Sequence, residues 1–268
     1  MQRNGAYTRL RVKGFTLVEL LTVIVVIAIL AALVLPALSQ AKNRVQTLAC
    51  INNLKQLESC CHLYSSDYAD ALPPNDPIST PTANNGSIAD AVAPINFDSW
   101  CPGIAPLDQT PAYVAQGLIY PYNRSPFIYH CPSDQATVQN FSRLLRTRSY
   151  TMDVSLNSGS AINSYEKFTD IKDLPTSEVF AIIDNHPQDI WDATFSIAGS
   201  QSTYATDWLA LPSDRHNQGA NLSFTDGHTE YWKWKAPKVY LGQDMPAYSA
   251  ADLADLQRLE AHAKPDVN

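Results

Sequence analysis

The run Phe15 to Leu35 holds a single charge, Glu19, and no other feature limits the fold of this chain so strongly. As a helix of 21 residues, it would extend about 31 Å, enough to cross the hydrocarbon of a bilayer. The thirteen residues before Gly14 carry Arg3, Arg9, Arg11 and Lys13 and no acid. A basic block ahead of an apolar run is the positive-inside signal, so the N-terminus is expected to stay cytoplasmic and the body to be exported. A carboxylate inside the bilayer costs roughly 2.5–3.5 kcal/mol on insertion scales, which makes Glu19 a functional candidate. An ordinary signal anchor, with Glu19 at the headgroups, is the plainer explanation. A cleaved secretory signal is another, with Ala31-Ala32 imitating its cleavage site. The core of such a signal is usually shorter than this run.

Lys13-Gly14-Phe15-Thr16-Leu17-Val18-Glu19-Leu20 resembles the processing site of type IV prepilins and type II secretion pseudopilins. The resemblance implies that a prepilin peptidase cuts after Gly14 and methylates the new amine of Phe15. It places Glu19 at the fifth mature position and Pro36 where that family bends its helix. A second segment, Arg215-His216 through Asp226-Gly227-His228, is similar to the C-terminal His-x9-Asp-Gly signature of a bacterial pseudopilin-like family. Asn53-Leu54-Lys55-Gln56 and Cys131-Pro132-Ser133-Asp134 are similar to segments of the same family.

The 268 residues suit one membrane segment plus one globular domain. Removing the basic leader leaves 15 basic against 26 acidic residues, a net charge of −11. A net acidic body argues against nucleic-acid binding, which needs basic patches to meet phosphates.

Residues 15–68 read as one long helix. Past Pro36, apolar residues recur at Leu38, Ala41, Val45, Leu48, Ile51, Leu54, Leu57, Cys61, Tyr64 and Tyr68, in steps of three and four. Pro36 removes one backbone donor and bends such a helix without ending it. Leu72-Pro73-Pro74 stops it, and residues 73–112 read as loop. Tyr113 to Tyr120 suggests a short helix. Arg148 to Val154 and Val179 to Ile183 read as strands. Asp226-Gly227 between Ala220–Phe224 and His228–Trp234 signals a hairpin with a tight I′ turn, which needs positive φ at both central positions. Leu253, Leu256 and Leu259 lie at helical spacing in a tail that is either a short acidic surface helix or a disordered end. The expected fold is α+β and pilin-like. A leader (1–14) precedes a membrane half (15–35) and an amphipathic half (36–71) of one helix. The helix packs on an antiparallel head (72–268), with the hairpin motif at 216–234.

Among candidate site residues, Gly14, Phe15 and Glu19 belong to processing, methylation and assembly as the resemblance implies. His216 is expected to bond a backbone carbonyl and fix the entry to the hairpin. A metal site joining His216 to His228, Asp226 or Asp184 is the sharper alternative, though no recurring ligand spacing supports it. No resident metal or cofactor is expected. Calcium is the most plausible ion, since some major pseudopilins bind it. Asp184, Asp189, Asp192, Asp207 and Asp214 supply oxygens, but no EF-hand-like loop is present. Hydrolase chemistry finds no Gly-x-Ser-x-Gly elbow, and Asp184-Asn185-His186 offers only loose spacing. Of the five cysteines, Cys50, Cys60 and Cys61 lie on the long helix, and burial is the expectation for Cys61. Cys101 and Cys131 lie in the exported head, where an oxidising compartment permits a bridge worth roughly 3–4 kcal/mol.

The expected function is non-enzymatic: a subunit of a type II secretion pseudopilus or type IV pilus-like filament. Its expected partners are prepilin peptidase, other pilin subunits and the inner-membrane assembly platform. The protein would sit single-pass in the inner membrane, head outward, before entering a filament. The alternative is a membrane-anchored periplasmic binding or sensor module that uses a pilin-like address only for export.

Overall fold

The computed structural model describes residues 16–76, 98–159, 163–199 and 202–264. Gly14 and Phe15 lie outside the described residues. One continuous helix, α1 (Leu17–Asp67), opens the chain and includes Pro36. The chain divides into two compact units, one ending at Arg44 and the other beginning at Val45.

In the first unit, α1 is apolar on every side. From Leu17 to Leu35 every large apolar residue is exposed, and Glu19 is the one charged residue among them. A helix apolar all round fits lipid or close-packed helical neighbours, not water. This helix is long and apolar enough to cross a membrane.

In the second unit, the remainder of α1 has one buried face. Cys50, Leu54, Leu57, Cys61 and Tyr64 recur every three or four residues and are all nearly solvent-free, while Lys55 and Gln56 face water. This face packs with Tyr150, Met152, Ala181 and Ile182 in one core cluster. Those residues belong to β1 (Tyr150–Asp153) and β2 (Phe180–Asp184). With β3 (Thr194–Phe195), β5 (Gly219–Phe224) and β6 (Thr229–Lys233) they form a five-stranded sheet in the order β3-β1-β2-β5-β6. Two short strands, β4 (Asp207–Trp208) and β7 (Met245–Pro246), pair separately.

The sheet is mixed, not purely antiparallel as expected. β1 and β3 run parallel, with Met152 opposite Thr194 and Asp153 opposite Phe195. A two-residue strand after a long loop gives no periodic signal in sequence, so this pairing was invisible there.

β5 is buried on both sides, and its alternation sorts two chemistries. Ala220, Leu222 and Phe224 enter a second core cluster with Trp232, Trp234, Leu256 and Leu259. Between them, Asn221 and Ser223 hydrogen-bond to α1 instead. A register irregularity between Phe180 and Ile183 lets β2 serve both clusters.

The Asp226-Gly227 hairpin forms, but its turn is not type I′. Only Gly227 has positive φ, +94°. The Gly227 N–H donates to Phe224 O, and the Phe224 N–H donates to His228 O. This is a three-residue loop that places its left-handed residue at glycine, so Asp226 needs no strained backbone.

The C-terminal helix α2 (Ala250–Glu260) is docked, not a loose surface element. Ser249 caps it by accepting the Asp252 N–H at 3.1 Å. Leu256 and Leu259 pack into the second cluster, and Arg258 lies 3.7 Å over the Trp232 ring. Lys238, fully buried, binds Asp252 at 2.7 Å and Asp255 at 2.9 Å.

Candidate functional site

Glu19 sits in the first turn of α1 on an exposed, apolar helix. Its Oε2 accepts the Thr16 N–H and the Thr16 hydroxyl, both at 2.8 Å. Among the described residues, no cation pairs with it. A local hydrogen-bonded turn at the helix start holds the carboxylate beside the N-terminal dipole, where negative charge is favoured.

A second constellation lies within the unit beginning at Val45. Four side chains from distant points of the sequence meet there: Cys50 of α1, Cys131, Asp184 at the end of β2, and His216 before β5. One ligating atom from each lies within 4.8 Å of all the others. All four are buried, with His216 the most exposed at 3%. His216 Nε2 stands 3.2 Å from Cys131 Sγ and 3.3 Å from Asp184 Oδ2. Its Nδ1 stands 3.2 Å from Thr47 Oγ1 on α1. The side chain therefore does not bond a backbone carbonyl as expected. Its main chain does that work: the His216 N–H donates to Gly219 O, and Tyr231 donates its hydroxyl to His216 O.

A second ring of groups holds these four. Ser213 donates to Asp184 Oδ2 at 2.9 Å, and Arg215 Nη1 pairs with Asp184 Oδ1 at 3.2 Å and with Asp134 Oδ2 at 2.9 Å. The Tyr150 hydroxyl donates to Cys50 Sγ at 3.3 Å. Ser149 joins the Cys131 N–H to Asp134. Burial disfavours charge on His216, but its bonds to Asp184 and Cys131 outweigh that and lift its pKa to about 9. Burial likewise opposes ionisation of Asp184, yet Arg215 and His216 hold its carboxyl below the usual range. Burial raises the Cys131 thiol.

Cys131, His216 and Asp184 do not form a nucleophilic triad. In such a triad the acid holds one ring nitrogen and the nucleophile meets the other. Here sulfur and carboxylate share Nε2, and the group is shut away from solvent.

The bridge expected between Cys101 and Cys131 does not form. Both are free, buried thiols. Cys101 lies beside Arg148, whose buried guanidinium donates to the carbonyls of Cys101, Pro102 and Gly103. Cys131 lies beside His216 instead. Asp226 and His228 do not join His216 either. They pair with each other at 2.5 Å, part-exposed, at the hairpin turn. The acids considered for calcium are dispersed into local bonds: Asp189 accepts the Leu211 N–H, Asp192 the Thr194 N–H and Asp214 the Lys238 N–H.

Sequence reasoning offered Asp184 as one of three partners of His216 in a metal site, considered Cys131 only for a bridge, and left Cys50 among the helix cysteines. No local spacing links positions 50, 131, 184 and 216. The available signal was a cysteine at position 50 on the long helix and another at position 131 in the head.

The family model for the prokaryotic N-terminal methylation motif matches residues 9–35. No curated protein matches, and no solved structure matches. With a long apolar helix running on into a β-rich head, this chain is prepilin-like, carrying the N-terminal segment of proteins processed and methylated at that site.

Proposed function

We propose that this protein is a structural subunit of a type II secretion pseudopilus or type IV pilus-like filament. Prepilin peptidase cuts after Gly14, and the new amine of Phe15 is methylated. The observation that carries this reading is the methylation motif at 9–35, whose helical part from Leu17 to Leu35 exposes every large apolar residue and holds Glu19 as its one charge. Such a surface needs lipid before assembly and other helices after it. In the filament, Glu19 meets the Phe15 amine of a neighbouring subunit. Pairing removes two isolated charges from an apolar bundle and sets the axial step between subunits. The inner-membrane assembly platform and other pilin subunits are the partners, and the head faces outward. In this reading the protein is structural and its processing enzyme is prepilin peptidase.

Intact mass of the protein purified from its native membrane tests the reading. A chain beginning at methylated Phe15 supports it. A chain beginning at Met1, or cut near Ala32, makes the N-terminus a plain anchor or signal, and a membrane-anchored binding module becomes the better account.

A further inference from the structure

We propose that Cys50, Cys131, Asp184 and His216 bind one zinc-like divalent ion inside the head. Two thiolates, an imidazole and a carboxylate are donor types that zinc takes in tetrahedral sites. Zinc–ligand bonds of the usual lengths place tetrahedral donors about 3.3–3.8 Å apart. The separations from His216 Nε2 are 3.3 Å to Asp184 Oδ2, at the short edge of that range, and 3.2 Å to Cys131 Sγ, just below it. All four donor atoms fall within 4.8 Å of one another.

Hydrogen bonding alone accounts poorly for this convergence. Nε2 has one proton or one lone pair, yet it faces both a sulfur and a carboxylate oxygen. An ion among the four would use the lone pairs of all of them at once. The surrounding groups are those that orient metal ligands. Thr47 Oγ1 can accept a hydrogen bond from the Nδ1–H group, which leaves Nε2 as the ligating nitrogen. Tyr150 donates to Cys50 Sγ, and Ser213 and Arg215 hold Asp184. On binding, each donor that carries a proton releases it to solvent. Two thiolates and a carboxylate then leave the bound dication with one net negative charge, and Arg215 stands beside it. The ion would join α1, through Cys50, to three points of the head that are far apart in sequence.

The test uses the full chain purified in detergent. Elemental analysis is expected to give one zinc per chain. Exchange with Co2+ is expected to produce strong visible d–d bands and a near-ultraviolet thiolate charge-transfer band. Cys50→Ser and Cys131→Ser should each abolish the charge-transfer band or reduce it severalfold, while Cys101→Ser should leave it unchanged. The wild-type cobalt spectrum needs no variant, so misfolding of a variant does not blunt the test. A chain with no stoichiometric metal and no cobalt spectrum overturns the proposal. So does peptide mapping that finds Cys50 and Cys131 in a disulfide, or full metal retention when both are replaced.

Discussion

Ser223 of β5 donates its hydroxyl to Glu58 of α1 at 3.1 Å, and both residues are buried. The same oxygen accepts the Ile182 N–H of β2 at 3.1 Å. One hydroxyl thus fastens the long helix to two neighbouring strands.

Removing that hydroxyl leaves a buried carboxyl and a buried amide each short of a partner. Ser223→Ala is expected to destabilise the head by about 1–3 kcal/mol. Glu58→Gln keeps an acceptor of the same shape and should cost less. Urea unfolding of the two variants side by side checks the order; a Gln variant weaker than the Ala variant would contradict it.

Asp153 predicts a pH dependence. It is fully buried, and its oxygens accept the Ser155 N–H and hydroxyl. Burial outweighs these bonds and raises its pKa from 3.8 to about 7. The folded chain therefore binds more protons than the unfolded one between those values. The stability tied to this proton is fully present below pH 3.8 and is lost as pH rises through about 7. Asp153→Asn should match wild type at the acid end and exceed it by about 2–4 kcal/mol at the alkaline end. A constant gap across that window in thermal unfolding would refute the assignment.

Lys238 predicts a local failure. Its ammonium is fully buried between Asp252 and Asp255, 4.7 Å from the Trp208 ring centre and 5.0 Å from that of Trp234. Lys238→Ala strands two buried carboxylates and should cost about 3–5 kcal/mol. Hydrogen exchange should show protection lost first over Ala250–Glu260. Loss that begins in β1 or β2 would mean that α2 is held by something else.

Glu19 predicts a separation of two steps. Glu19→Ala removes the charge but not the cleavage site, so processing after Gly14 should continue while filaments fail to assemble. Electron microscopy of cells together with intact mass reads both. Normal filaments from this variant would remove the charge-pair account of subunit register.

The sequence made some of this legible and hid the rest for physical reasons. Helical periodicity and the motif around Glu19 placed α1 to within two residues at its start and one at its end. Local apolar runs placed β1, β2 and β5, because a buried strand needs such a run whatever its partner. The hairpin was legible from Asp226-Gly227, but its turn type depends on one backbone angle that composition leaves open. The parallel β1–β3 pair, the buried Arg148 and Lys238, and the convergence of Cys50 and Cys131 on His216 and Asp184 were not legible. Each depends on contacts across many residues that leave no periodic trace. Cys101 and Cys131 show the same limit. Two cysteines in a head expected to be exported suggested each other, and the fold gave them different neighbours, Arg148 and His216.

The strand order β3-β1-β2-β5-β6 carries a consequence for how the head folds. β2 cannot complete its pairing until Gly219–Phe224 arrives, and α1 waits for the same strand to supply Ser223. Contacts of such long range form late and reward the chain only when nearly all of it is present. A chain lacking that strand has an open sheet and a helix face of Cys50, Leu54 and Leu57 not yet fully covered. Only a chain that already includes Gly219–Phe224 can close the sheet and complete the cover over that helix face.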